Sequence, residues 1–320
     1  MHKEKKVLFN QLLNFFWLRP ENALMLYLRS VSYRKTLKYF HEKDSTLDIS
    51  CGDGVFSFLT FGGLLSNTTD MFRSIKYQKE TARKIDNFDF FNRDYFVKIL
   101  KKPHLHYTHG IDWKKNLLKK ASKLNFYTNL HQQDNNNKFL FNNEKFGYVY
   151  SNSSYWVKNY DFHINQIIDC TKKNGHIVLQ IKNDSALSFK SSKYIQKIFG
   201  KNFSNIIDAG RSNSWKFLKS FNEIYKIFQN NKKVEIIAIE PIYGDIMPEI
   251  WNFGLRPLFQ PLSKMVSTLN EKNRLEIKNE FIQIVHGLFY KHLSNYKPNN
   301  DHHNKKEIEY TYILKKNSIS

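Results

Sequence analysis

Seven short runs rich in β-branched and aromatic residues set the strongest limit on how this chain can fold. They are "STLDIS" (45–50), "LHYTHGI" (105–111), "FYTNL" (126–130), "FGYVYS" (146–151), "HIVLQIK" (176–182), "KVEIIAIEPI" (233–242) and "IEYTYILK" (308–315). Between them, apolar side chains recur every three or four residues, over Lys115–Lys123, Phe162–Lys172, Ser188–Phe199 and Leu218–Gln229, which is helical spacing. Strand and helix in alternation is the sequence form of a parallel sheet with helical crossovers. The expected class is therefore α/β, a seven-stranded, mostly parallel sheet with helices on both faces.

Additions surround that pattern. Residues 6–18 and 21–40 have helical spacing ahead of the first strand, and Pro20 suits a first helical turn. Two interruptions, 60–104 and 245–305, are far longer than ordinary crossover loops. The second holds a helical stretch, Arg274 to Leu293, and the polar "KPNNDHHNKK", which reads as a mobile loop. The expected organisation is an N-terminal helical arm or cap over 1–44, a sheet domain over 45–244 and 306–316, and a helical cap insertion over 245–305. A chain of 320 residues that is 41% hydrophobic can bury the core this requires.

The formal charge of +21 favours anionic partners in general. Its lysines are scattered among Asn, Phe, Ile and Tyr rather than gathered on one segment, which also describes an ordinary solvated surface. Only Cys51 and Cys170 are present; without a CxxC pair they announce neither a disulfide framework nor a zinc ribbon, and a cytoplasmic setting is expected. No run approaches the ~18 uncharged apolar residues of a membrane span. Peripheral contact with the inner membrane surface stays open.

The chemistry concentrates in "LDISCGDGVFSF", Leu47 to Phe58. A strand that ends near Asp48 and runs into Gly52 and Gly54 leaves main chain bare where a ligand can approach closely. Asp48 and Asp53 would repel a pyrophosphate and attract a cationic amino group. That choice favours S-adenosylmethionine over a dinucleotide. Asp112, with Trp113 beside it, stands at the tip of the second strand, where a carboxylate can accept from both ribose hydroxyls; it could equally cap the helix that follows. Asp134, helped by Gln133, follows the third strand and could take an adenine amino group, although "DNNN" also reads as a polar turn. Ser151, Asn152 and Ser153 follow the fourth strand on the same carboxyl edge. Asp70 is a rival for the ribose because its distance from Asp48 is close to the ~20 residues expected of such an acid. Asp112 is preferred because a strand precedes it and a helix follows.

The order "LDISCGDG", "GID" with "LLKKA", "QQD", "FGYVYSNSSYW" and "KKNGHIVLQIK" resembles the class I S-adenosylmethionine-dependent methyltransferases over residues 45–183, and more loosely to 316, with the small-molecule branch the nearer match. The resemblance implies a Rossmann-like sheet and S-adenosylmethionine as cofactor. It carries the family pattern DxGxGxG onto Asp48, Ser50, Gly52 and Gly54, with Cys51 inside the turn, the ribose acid onto Asp112 and the adenine-side acid onto Asp134. Ser50 departs from the pattern at its first glycine; it is tolerable if its φ is negative, and otherwise implies a distorted loop.

The function expected from these residues is methyl transfer to a small or lipid-linked acceptor, such as a saccharide, a quinone-like ring or a secondary metabolite. Alternatives are an RNA-binding protein or RNA methyltransferase, and a non-catalytic protein that keeps the fold. "SNSSYW" lacks the Asn/Asp-Pro-Pro-aromatic motif of resembling enzymes that act on exocyclic amines of bases, neither cysteine is placed for attack on a pyrimidine, and no RNP-like strand pair or GXXG clamp is present. Nucleic acid is thus disfavoured as a partner. His131, Tyr155, His163 and Tyr243 are conceivable bases without a motif to single one out. The aromatic-rich N-terminal helices, the 60–104 insertion and the segment holding Trp251, Phe253 and Arg256 are candidates to close over the site. No metal site is expected: His104, His106 and His109 lie along a strand with only two on one face, and Asp301, His302 and His303 fall in a loop.

Overall fold

A computed structural model of the chain describes residues 2–73, 89, 91, 95–141, 144–188, 190–208, 215–244, 246, 250–251, 256–298 and 307–318. The seven expected strands are β1 (Thr46–Ile49), β4 (Tyr107–Asp112), β5 (Tyr127–Gln132), β6 (Phe146–Ser151), β7 (Thr171–Lys182), β8 (Val234–Tyr243) and β9 (Glu309–Lys316). They form one sheet in the order β5-β4-β1-β6-β7-β9-β8. The pairs β1–β4, β1–β6, β4–β5 and β6–β7 are parallel, and β9 runs antiparallel to both of its neighbours. The carboxyl ends of β1, β4, β5, β6 and β7 therefore share one edge. This is the Rossmann-like α/β architecture.

β7 begins at Thr171 rather than at the expected His176. The "KKNG" segment, read as a turn, lies inside the strand as a bulge: Phe146 pairs with Thr171 while Tyr148 pairs with His176, and Asn174 has φ +61°. Two short strands not visible in the sequence, β2 (Leu64–Leu65) and β3 (Ile99–Lys101), pair antiparallel at the two ends of the long 60–104 interruption.

Helices α1 (His2–Phe15) and α2 (Pro20–Thr36) precede the sheet, with Pro20 in the first turn of α2. Tyr33 of α2 stacks on Tyr150 with ring centroids 3.9 Å apart, and Ser32 bonds Thr311 across 2.7 Å, so α2 lies directly on one sheet face. The same face receives α3 (Val55–Thr60) and α4 (Lys115–Ser122), while α5 (Tyr160–Cys170) and α7 (Phe221–Gln229) pack on the sheet from the other side. α6 (Lys190–Asp208) is broken at Gly200. A long helix, Glu271–Asn295, leans on α1.

The core is rich in aromatic residues, and several of its tyrosine hydroxyls are paired, although those of Tyr27, Tyr160 and Tyr312 are buried without a hydrogen-bond partner among the described residues. Tyr148 bonds Thr36, Tyr150 donates to Gln180, and Tyr33 bonds Tyr107. Arg29 of α2 and Glu309 of β9 make a buried two-point ion pair at 2.5 and 2.7 Å, with Tyr243 also donating to Glu309. Good geometry and extra donors are what a buried ion pair needs to offset desolvation. Among the described residues, no helix is long and apolar enough to cross a membrane.

Candidate functional site

The turn after β1 is held in the left-handed region at three positions, with φ of +58° at Ser50, +59° at Gly52 and +75° at Gly54. The Cys51 N–H donates to the Ile111 carbonyl of β4 (2.9 Å), and the Gly54 N–H to the Cys51 carbonyl (3.0 Å). The two glycines are required for different reasons. A Cβ on Gly54 would stand 2.7 Å from the Tyr127 ring and 3.1 Å from Leu124, so this glycine lets α4 and β5 close on the turn. A Cβ on Gly52 would meet nothing within 4 Å. The main chain there borders open space.

Ser50 does not have the negative φ on which its tolerance was expected to depend. A left-handed backbone costs a residue with a Cβ roughly 1–2 kcal/mol. Its hydroxyl accepts a 2.8 Å hydrogen bond from Asn135 Nδ2, which anchors the strained residue.

Three carboxylates surround the turn. Asp48 is paired in register with Gly110, and Asp112 lies two residues beyond Gly110, so both acids face the same side of the sheet. Asp48 accepts from Ser57 Oγ and from the Tyr127 hydroxyl, each at 2.7 Å. Burial pushes its carboxyl up to about 7 against those two bonds, and the charge of Asp112 adds to the rise. Asp112 accepts the Gly52 N–H (3.1 Å) and the Lys114 N–H (2.8 Å), and burial raises it as well. It is not the cap of α4, whose N-cap position is Lys114. Asp53 accepts the Val55 N–H at the start of α3; burial raises it and Lys120 draws it back. The Cys51 thiol is pushed well above its usual range by burial and by all three acids, so it stays protonated and is a poor nucleophile. A cationic ligand in this hollow would relieve the crowding of like charges.

The other candidates are spread along the same edge. Gln133 is buried and donates to the carbonyls of Asp134 and Lys138, while exposed Asp134 accepts from the main chain and side chain of Asn136. Trp113 is 60% exposed with Lys114 Nζ 5.3 Å from its ring. Ser151 is fully buried beside Ile49, within 3.5 Å of the Ser153 and Ser154 hydroxyls, and Asn152 is half-buried.

Asp70 is elsewhere. Both its oxygens are taken by Arg274 (2.9 and 2.8 Å), and Lys278 (3.1 Å) and the Phe72 N–H add to them. Despite burial, these cations hold its carboxyl below the usual range.

The conceivable bases sit in structural roles. His163 is buried with Nε2 3.3 Å from Ser154 Oγ, and burial lowers it to about 4; Tyr155 lies near Arg29, Tyr243 is bound to Glu309, and His131 stacks on His109. Phe253, Asp301, His302 and His303 lie outside the described residues, and of Arg256 only the backbone is described, in a short 3-10 helix. No three His, Cys, Asp or Glu side chains among the described residues form a group that could hold a metal ion. Sequence reasoning missed Ser57, Tyr127 and Asn135. Ser57 alone left a trace, one helical turn past the glycines.

No protein-family model matches the chain, and no curated protein sequence does. Solved structures are similar in outline. The plantazolicin methyltransferase BpumL, solved with a monoazolic desmethylPZN analog and SAH, is 13% identical, with 99% of this chain and 97% of that one covered at a TM-score of 0.46. A SAM-dependent methyltransferase from Geobacter sulfurreducens in complex with S-adenosyl-L-homocysteine is 9% identical, covering 89% of each chain at 0.43. The [4+2]-cyclase SpnF is 9% identical, covering 91% of this chain and 81% of that one at 0.44. With TM-scores under one half, these likenesses decide nothing about the chemistry of the site.

Proposed function

We propose that the chain is an S-adenosylmethionine-dependent methyltransferase acting on a small or lipid-linked acceptor. The observation that carries this reading is the left-handed turn at the carboxyl end of β1, whose Gly52 borders open space, with Asp48 and Asp112 on one side of the sheet and Asp53 within the turn itself. An aminoacyl sulfonium is a cation that these acids attract, and the residues present fit it.

When bound, S-adenosylmethionine supplies an electrophilic methyl group on a positively charged sulfur. The chain's part is to hold, orient and exclude water. Asp112, fixed by the N–H groups of Gly52 and Lys114, is the acid proposed for the ribose hydroxyls. Asp48, kept rigid by Ser57 and Tyr127, sets the charge beneath the turn. Gln133 and Asp134 border the adenine side.

Support for an acceptor with apolar or ring character comes from the neighbouring carboxyl ends of β6 and β7. There the Lys182 ammonium lies 5.5, 4.9 and 5.0 Å from the rings of Tyr155, Trp215 and Trp251. An aromatic wall with a few polar groups is the usual form of a small-molecule site. The helical arm 1–44 and the described parts of the insertions 60–104 and 245–305 are proposed as its cover; the rest of those two expected insertions lies outside the described residues.

Calorimetric titration with S-adenosylhomocysteine tests the reading. Micromolar binding is expected, with Asp112→Ala weakening it about 10- to 100-fold, the loss of one or two charge-assisted hydrogen bonds. Absence of heat from the folded wild-type chain would remove the methyltransferase reading.

A further inference from the structure

Ser50 occupies a position where glycine would cost nothing, and the structure shows what its side chain does. Ser50 Oγ is the acceptor for Asn135 Nδ2 at 2.8 Å, and Asn135 is only 8% exposed. A glycine at 50 would have no such group. Asn135 belongs to a loop that is itself well anchored: Gln133 Nε2 donates to the carbonyls of Asp134 and Lys138, the Asn137 N–H donates to the Asp134 carbonyl, the Lys158 N–H donates to Asn136 Oδ1, and Gln166 Nε2 donates to the Asn137 carbonyl. Gln166 lies on α5, on the far face of the sheet from α3 and α4. The glycine turn is thus tied, through one side-chain bond, to the loop after β5 and from there to α5.

We propose that Ser50 and Asn135 form a tether that sets the spacing between the glycine turn and the loop after β5, with Asn135 a positioning residue for the bound nucleoside. The serine is then a working part of the turn. Its strained backbone is held because the bond to Asn135 selects the left-handed form, and the bond exists because the residue has a hydroxyl. The assignment of the two loops to one ligand rests on the function proposed above; the tether itself does not.

A double-mutant cycle separates the two. Ser50→Gly, Asn135→Ala and the double variant are compared with wild type for S-adenosylhomocysteine affinity and for thermal unfolding without ligand. With Ser50 present, Asn135→Ala is expected to weaken affinity about tenfold, as for one lost hydrogen bond, and to lower the melting temperature by about 2 °C or more. With glycine at 50, the same change is expected to alter affinity less than about twofold and leave melting within about 1 °C. Ser50→Gly alone is expected to leave the melting temperature near wild type, because relief of strain offsets the lost bond, while weakening affinity about fivefold.

Equal effects of Asn135→Ala in both backgrounds, or tighter binding by Ser50→Gly, overturn the proposal. If wild type binds no S-adenosylhomocysteine, the methyltransferase reading fails, and the melting cycle decides the tether: coupling supports it, additivity overturns it.

Discussion

Asp48 and Asp70 are both buried acids from the first quarter of the chain, and they meet opposite electrostatic surroundings. Asp70 has two cations from the helix Glu271–Asn295 on its oxygens and is held below the usual carboxylate range. Asp48 has two hydroxyl donors and the acid Asp112 nearby, and burial above all raises its carboxyl to about 7. Lys278 shows the other side of the Asp70 site. Its ammonium is lowered to about 8, because burial and the neighbouring Arg274 outweigh the single carboxylate that the two cations share. A saturated acid serves the fold. A buried acid held by hydroxyl donors beside another acid has capacity left for a cation from outside.

Removing Asp70 should have the largest effect. Asp70→Ala leaves Arg274 and Lys278 buried without their counter-charge, and denaturant unfolding should show a loss of about 3–5 kcal/mol. Its affinity for S-adenosylhomocysteine, measured below the unfolding range, should stay within roughly threefold of wild type. A large loss of affinity without loss of stability would erase the contrast between the two acids.

The pH dependence of stability should distinguish them next. Asp48 binds its proton more tightly in the folded chain, so its contribution is fully present below about 4 and is lost as pH rises through about 7. Asp70 has the opposite sign: its contribution is present above the ordinary carboxylate range and is lost as pH falls through it. Asp48→Asn should therefore gain on the wild type by on the order of 2–4 kcal/mol between pH 4 and 7. His163, lowered to about 4, slopes the other way over the same window in both proteins and cancels in the difference. Equal slopes for wild type and variant would mean that Asp48 titrates normally.

The smallest effects belong to the glycines. Gly52→Ala should cost about 1 kcal/mol from its left-handed backbone, yet weaken S-adenosylhomocysteine more than that strain accounts for, because the new methyl group enters the open side of the turn. Gly54→Ala, with its Cβ driven against Tyr127, should lose more stability. If the two variants bound and unfolded alike, the distinction between an outward and an inward glycine would be wrong.

Much of the sheet was legible because strand positions depend on local alternation, and "FGYVYS" became β6 residue for residue. β9 was located correctly in sequence, but its place between β7 and β8 follows from side-chain packing across the whole chain. The same limit governs the site. Asp112 could be found from the strand before it and the helix after it, since neighbours of that kind are written in sequence. Asp70 had the more suggestive spacing from Asp48, yet its partners come from about 200 residues away. Asn135 sat in a polar run whose turn residues were recognised, while its bond to Ser50 crosses between two loops and leaves no periodic trace. Ser50 stood out as a departure from the glycine pattern; only the backbone angle and the donor facing it explain why it is kept.

The ion pair between Arg29 and Glu309 joins residues 280 positions apart. During synthesis, α2 leaves the ribosome long before the strand that neutralises its arginine and fills the gap between β7 and β8. Until β9 arrives the sheet has an unfilled slot between β7 and β8 and Arg29 lacks its counter-charge, so the sheet closes only when the end of the chain is in place.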